Sequence, residues 1–184
     1  MHVWRAVAAM LVATTLDAGA STGVAPALSS THGTAVLAAD GLGAVRFGTS
    51  KPHAVDHLRA LFGTPNWRGI NTGCGARWTE VVWGDLAAEF TGDVFTGYRY
   101  ASAVLRRFTE RVPATTGFPR LATAEAITVG STLSQVRSAY RLHLSGAGRW
   151  HSGSLEFVSN AQHSPAPLTS RIIEIKTTST CGDY

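Results

Sequence analysis

Two stretches of the chain carry the same order of apolar and polar residues 82 positions apart, Val45 against Ile127. Val45-Arg46-Phe47-Gly48-Thr49-Ser50 aligns with Ile127-Thr128-Val129-Gly130-Ser131-Thr132. Each copy runs apolar, polar, apolar, then Gly, then two hydroxyl residues. Each then enters a segment with helical spacing. In the first, Val55, Leu58 and Phe62 form a stripe with Leu61 beside it. Ser50 is placed to cap that helix, and Pro52 stands in its first turn, where a missing N–H costs little. Gly63 and Pro65 stop it. In the second, Thr132 and Gln135 have the spacing of a capping box, and Leu133, Val136, Tyr140 and Leu144 make the stripe.

Strand-like segments follow both helices. After the first come Thr79–Trp83, Leu86–Phe90 and Phe95–Tyr100, punctuated by Gly84-Asp85 and Gly92-Asp93 turns. After the second come Leu155–Val158 and Arg171–Thr177. The run 86–90 (LAAEF) echoes 154–157 (SLEF). Residues 64–77 and 159–170 are expected to be loops. In 101–120, Val104, Phe108 and Val112 keep helical spacing, but Pro113 and the basic residues fit a linker equally well. The pattern predicts an α+β domain over 40–184. It consists of two tandem helix-plus-antiparallel-meander repeats, 40–100 and 121–184, joined by 101–120.

Strand parity divides the residues between two faces. If Phe90 pairs with Phe95 across the Gly92-Asp93 turn, both face the core with Trp83, Leu86 and Ala88. Trp78, Glu80, Glu89, Tyr98 and Tyr100 then fall on the opposite face. In the second half, core Leu155, Phe157, Ile173 and Ile175 leave Glu156, Glu174 and Lys176 outward. The expected open face is therefore aromatic in its first half and acidic in both. Tyr and Trp on such a face are the usual anchors of a protein interface, and an ordinary solvated face is the plainer alternative. A one-residue slip inverts every such assignment.

The first 20 residues change the picture of where the chain works. Arg5, the apolar run Ala6–Leu16 and the small residues Ala18-Gly19-Ala20 read as a secretory signal peptide cleaved before Ser21. The run is too short to span a bilayer, and no later stretch approaches that length. Residues 21–39, rich in Ser, Thr, Ala and Pro, are expected to be a flexible leader. The two cysteines, Cys74 and Cys181, are expected to pair in an exported chain. Free thiols or a shared metal are the alternatives.

Of 184 residues, 45% are hydrophobic and 15% charged, which excludes a disordered polar chain. The net charge of +4 is dispersed. Its densest group, Arg99, Arg106, Arg107 and Arg111, is diluted by Glu110. That is unlike the tight basic stripe of a nucleic-acid binder, so no nucleic-acid partner is expected.

Catalytic motifs are sparse. The chain has no Gly-x-Ser-x-Gly elbow, no His-Glu-x-x-His and no phosphate-cradling loop with Lys. His53 and His57 share a helix face beside Asp56, as metal ligands do. A solvated polar face explains them equally, and no third ligand stands out. Asp85 and Glu89 are candidates for paired carboxylates, though Asp85 sits where turns favour Asp. No metal, cofactor or catalytic residue is assigned.

The tandem unit of apolar-x-apolar-Gly-Ser/Thr, helix and β-meander resembles the β-lactamase-inhibitory protein and the BamE-type envelope lipoproteins. It is also similar to small exported actinobacterial proteins of unknown function that open as Gly41-Leu42-Gly43-Ala44-Val45-Arg46-Phe47-Gly48. The resemblance covers roughly residues 40–181. It implies helices on one face of one antiparallel sheet, and binding rather than catalysis. The lipidated Cys of the BamE type is absent, and one cysteine pair stands where the inhibitory protein has a disulfide in each repeat. The expected function is thus an exported, non-catalytic module that binds a protein or envelope component through the open sheet face. The alternatives are an inhibitor of a secreted enzyme and a cell-wall-directed hydrolase.

Overall fold

A computed structural model describes residues 35–73, 76–101, 118–161 and 165–177. Residues 1–20, expected to be a signal peptide, most of the expected leader 21–39, Cys74, Cys181 and most of 101–120 lie outside them. The described chain is α+β, with two helices and mostly antiparallel strands. Strands β1 (Leu37–Ala38), β2 (Gly41–Leu42) and β3 (Val45–Arg46) form a small antiparallel sheet. Helix α1 (Lys51–Phe62) follows. Then come β4 (Trp67–Gly73), β5 (Ala76–Trp83), β6 (Leu86–Thr91) and β7 (Val94–Ala101). Helix α2 (Leu133–Ala139) leads to β8 (His143–Gly146), β9 (Arg149–Ser152), β10 (Leu155–Ser159) and β11 (Ile172–Thr177).

Strands β4 to β11 make one eight-stranded sheet in the order β4-β5-β6-β7-β11-β10-β9-β8. Each half is a four-stranded meander, and the two last strands, β7 and β11, meet antiparallel at the centre. Both meanders are entered in the same way. Gly48 donates to the Phe95 carbonyl at 2.9 Å, and Gly130 donates to that of Ile172 at 2.7 Å. Phe95 and Ile172 donate back to Thr49 and Ser131. The first helical N–H groups, of Lys51 and Leu133, go to Asp93 and Ser170. Helix N-terminal donors that would otherwise be orphans are thus satisfied by the residues that lead into the last strand of each half.

Gly48 and Gly130 hold φ of 91° and 94° in these two turns. A side chain at Gly48 would meet nothing within 4 Å, so only the backbone conformation opposes one. Gly48→Ala is therefore expected to cost about 1–2 kcal/mol. Urea unfolding checks this, and an unchanged midpoint would contradict the turn geometry.

The caps differ. Thr132 and Gln135 form the expected box, with Gln135 N–H donating to Thr132 Oγ1 at 3.2 Å and Thr132 N–H to Gln135 Oε1 at 2.8 Å. Ser50 makes no side-chain cap, and Pro52 takes up the slack in the first turn. Ala54, Val55 and Leu58 of α1 and Val136 of α2 share one apolar core with Trp83, Leu86, Phe90, Phe95 and Phe157 of the sheet. Trp83 Nε1 donates to the Gly63 carbonyl at 2.8 Å, tying the sheet to the end of α1. Each fully buried large side chain adds roughly 1.5–3 kcal/mol of hydrophobic stabilisation.

Several expectations are corrected. Residues 64–77 are not a loop, because β4 occupies their centre. Order begins before Asp40: Ala35 and Leu37 are buried in the core. Helix α2 ends at Ala139, since Tyr140 turns extended at φ −132° and ψ 144°. Leu144 is therefore an exposed residue of β8 and not part of the helical stripe. Ile173 is not a core residue either. The register shifts between Val158 and Ser159, which pairs Ser159 with Ile172 and puts Ile172 in the core with Ile175.

Candidate functional site

The sheet face opposite the helices is built by alternation. Directly paired residues of antiparallel strands point to the same side. Trp67, Val82, Ala87, Arg99, Lys176, Glu156, His151 and His143 form one row across all eight strands. Glu80 and Glu89 oppose each other in the next row. Trp78, Glu174 and Arg149 share the same side.

The charges interlock. Arg99 lies between two carboxylates, 3.8 Å from Glu80 and 3.7 Å from Glu174. Glu156 lies 3.7 Å from Arg149 and 3.9 Å from Lys176. Trp78 Nε1 donates to Glu80 Oε1 at 3.1 Å. The ion-pair separations exceed hydrogen-bond length, so these contacts are Coulombic. They are also shielded from water: the side chains of Glu80, Glu156 and Glu174 are 5%, 9% and 12% exposed. Less screening makes each pair stronger than its counterpart on a fully wet surface.

Glu89 is the exception. Its carboxyl makes no hydrogen bond or ion pair among the described residues, although its backbone carbonyl accepts from Thr96 Oγ1 at 3.4 Å. Burial first, and the facing Glu80 carboxylate second, push its carboxyl up to about 7, against the pull of Arg99 and Lys176. Near neutral pH it is a group that gives or takes a proton on an otherwise charge-matched face.

Of the seven expected surface residues, Trp78, Glu80, Glu89, Glu156 and Glu174 do share this face. Tyr98 and Tyr100 do not. Phe90 pairs with Phe95 as expected, but Glu89 pairs with Gly97. The register shift leaves Thr96 as an extra residue in β7, and one extra residue flips every later side chain. Tyr98 and Tyr100 therefore point into the core, at 0% and 5% exposure. Tyr98 donates its hydroxyl to the Ala38 carbonyl at 2.9 Å, and Tyr100 Oη accepts from Leu121 N–H at 3.3 Å. Burial raises both phenols above their ordinary range. In their place the bulge turns Arg99 outward.

Parity therefore misplaced two aromatics and overlooked Arg99, Arg149, Trp67 and the His143/His151 pair. Trp67 was hidden in the expected loop. Its indole lies over Gly69 on the open face. The register partner of Glu89 is Glu80, not Asp85. His53 and His57 are exposed on α1, and Asp56 is engaged by Arg59 at 3.4 Å. Among the described residues, no group of three or more His, Cys, Asp or Glu is arranged to hold a metal ion. No described helix is long and apolar enough to cross a membrane. Comparison with protein families, with curated proteins and with solved structures finds no match for the chain.

Proposed function

We propose that the chain is an exported, non-catalytic binding module that engages a protein or envelope partner through the charged sheet face. The observation that carries this reading is the face itself. It presents shielded, mutually held charges flanked by Trp67 and Trp78, with Glu89 left over. Side chains already fixed by their neighbours lose little entropy on binding, which favours a preformed interface. Trp and Arg are the residue types that most often dominate such interfaces. Glu89 in its ionised form offers an acceptor to a partner's cationic group.

The wider reading belongs to the same proposal. The signal peptide directs export, with cleavage between Ala20 and Ser21. Cys74 and Cys181 pair in the oxidising compartment. The two meanders are tandem repeats of the kind found in the β-lactamase-inhibitory and BamE-like group. Support for the duplication comes from the matched turns at Gly48 and Gly130 and the matched helix entries at Lys51 and Leu133. An inhibitor of a secreted enzyme is the most specific form of this function.

The test uses the chain as bait in envelope extract and culture fluid of its source, beside a Trp78→Ala/Arg99→Glu variant. A partner captured in stoichiometric amount by the wild type and lost by the folded variant is the expected result. Equal capture by both would remove the face from the function. An inhibitor must further suppress one secreted hydrolase at equimolar dose.

The Glu80–Glu89 pair favours a second reading, a cell-wall-directed hydrolase in which Glu89 supplies a proton and Glu80 is the partner carboxyl. That reading requires turnover of peptidoglycan fragments that Glu89→Gln abolishes. Absence of turnover by the wild type rejects it and leaves the binding reading untouched.

A further inference from the structure

The open face ends at the edge of the sheet in two histidines. His143 of β8 and His151 of β9 are directly paired in register. Their rings stack with centroids 5.5 Å apart and planes 22° from parallel. His143 is exposed and His151 half-buried. Glu156 is next in the row, but Arg149 and Lys176 already hold it.

We propose that His143 and His151 form a two-histidine site for a divalent transition-metal ion, with water in the remaining coordination positions. Metal–nitrogen bonds of about 2.0–2.1 Å at one ion require donor nitrogens roughly 3 Å apart. Directly opposed residues of an antiparallel pair have Cβ atoms about 4.5–5.5 Å apart. Turning the two rings about their side-chain bonds therefore closes the gap without moving the backbone. Strand β8 is the edge of the described sheet, and His143 on it is exposed. Imidazole donors suit Cu2+, Ni2+ and Zn2+ and disfavour Ca2+ and Mg2+, and Cu2+ binds most tightly in the usual order. The nearby cations Arg149 and Lys176 oppose an incoming metal, while Glu156 partly cancels them.

His53 and His57 on α1 are the rival pair. Residues four apart on a helix are also neighbours, but these two rings make no contact with each other among the described interactions. The two sites are separable by substitution.

The experiment titrates the full chain with Cu2+ and follows the ion by electron paramagnetic resonance at pH 7.5 and pH 5. Parallel titrations use His143→Ala, His151→Ala, His143→Gln and a His53→Ala/His57→Ala double variant. Thermal melts without metal confirm that each folds, as expected for an exposed edge. The expected result is an ion with two imidazole nitrogens in the wild type. Each change at His143 or His151 should weaken it by at least about tenfold, the lower end of what even an indirect partner of a ligand contributes. The helix variant should bind as the wild type does. Binding should fall away at pH 5, because the ligands must be deprotonated. A copper signal that survives loss of His143 or His151, or that disappears with His53 and His57, overturns the proposal. No copper binding by the wild type overturns it as well.

Discussion

Tyr98→Ala is expected to lower stability by about 3–5 kcal/mol, the range for removing a large buried ring from a packed core. Tyr98 is fully buried, packs near Phe47 and donates its hydroxyl to Ala38 of β1. Its loss would open a cavity and release the small N-terminal sheet from the large one. Tyr98→Phe keeps the ring and leaves the Ala38 carbonyl without that donor, so about 1–3 kcal/mol is expected. Denaturant unfolding at fixed pH measures both. If Tyr98 stood on the open face, both changes would fall within about 0.5 kcal/mol of the wild type. That outcome would remove the bulge at Thr96 and restore the simple alternation of β7.

Glu89→Gln is expected to change the pH dependence of stability more than its value at low pH. The ordinary carboxyl value is 4.5, and in the fold it is about 7, with burial the largest cause and Glu80 the next. Between those two values the folded state holds a proton that the unfolded chain has released. The contribution of this group to wild-type stability should therefore be full below pH 4.5, fall as pH rises to about 7, and level off above it. The total loss through this group is about 3 kcal/mol, from the size of the shift. Gln cannot ionise, so the variant should match the wild type near pH 4 and exceed it by up to about 3 kcal/mol at pH 8. Unfolding curves at pH 4, 6 and 8 decide it. Parallel pH profiles for the two proteins would mean that Glu89 is ionised and well solvated throughout.

Both expectations turn on what alternation along a strand does and does not reveal. The helix entries were legible in the sequence because their signals are local. The Gly-hydroxyl turns, the Thr132/Gln135 box and the apolar stripes of α1 and α2 all lie within a few residues of what they shape. The sheet was half legible. Strands β5 and β6, and β7 as far as Phe95, stand out between Gly-Asp turns. Strand β4 contains Gly69, Asn71 and Gly73, which weaken a strand pattern and read as loop. Strands β8 and β9 are four residues each, too short for alternation to stand out. Pairing with a neighbour, rather than local preference, makes all three of them strands.

The site was legible only as far as the bulge. Phe95, Tyr98 and Tyr100 share one face although simple parity separates Phe95 from the two tyrosines. The one local sign was Gly97, because a glycine inside a strand pattern often marks a bulge. The adjacent Ile172 and Ile173 gave the same warning in β11, where two apolar neighbours cannot both face the core. Charge was more robust than aromaticity. Glu80, Glu89, Glu156 and Glu174 all lie on the expected face, since a carboxylate in the core without a partner would cost far more than a shifted register.

The most direct measurement places a photo-crosslinking residue at Trp78 on the sheet face and, in a second protein, at His57 on the exposed side of α1. Both are irradiated in envelope extract and culture fluid of the source. A single discrete adduct from position 78, suppressed by Arg99→Glu and absent from position 57, is the predicted result. The same adducts from both positions, or adducts from position 57 alone, would contradict a binding role for the charged face.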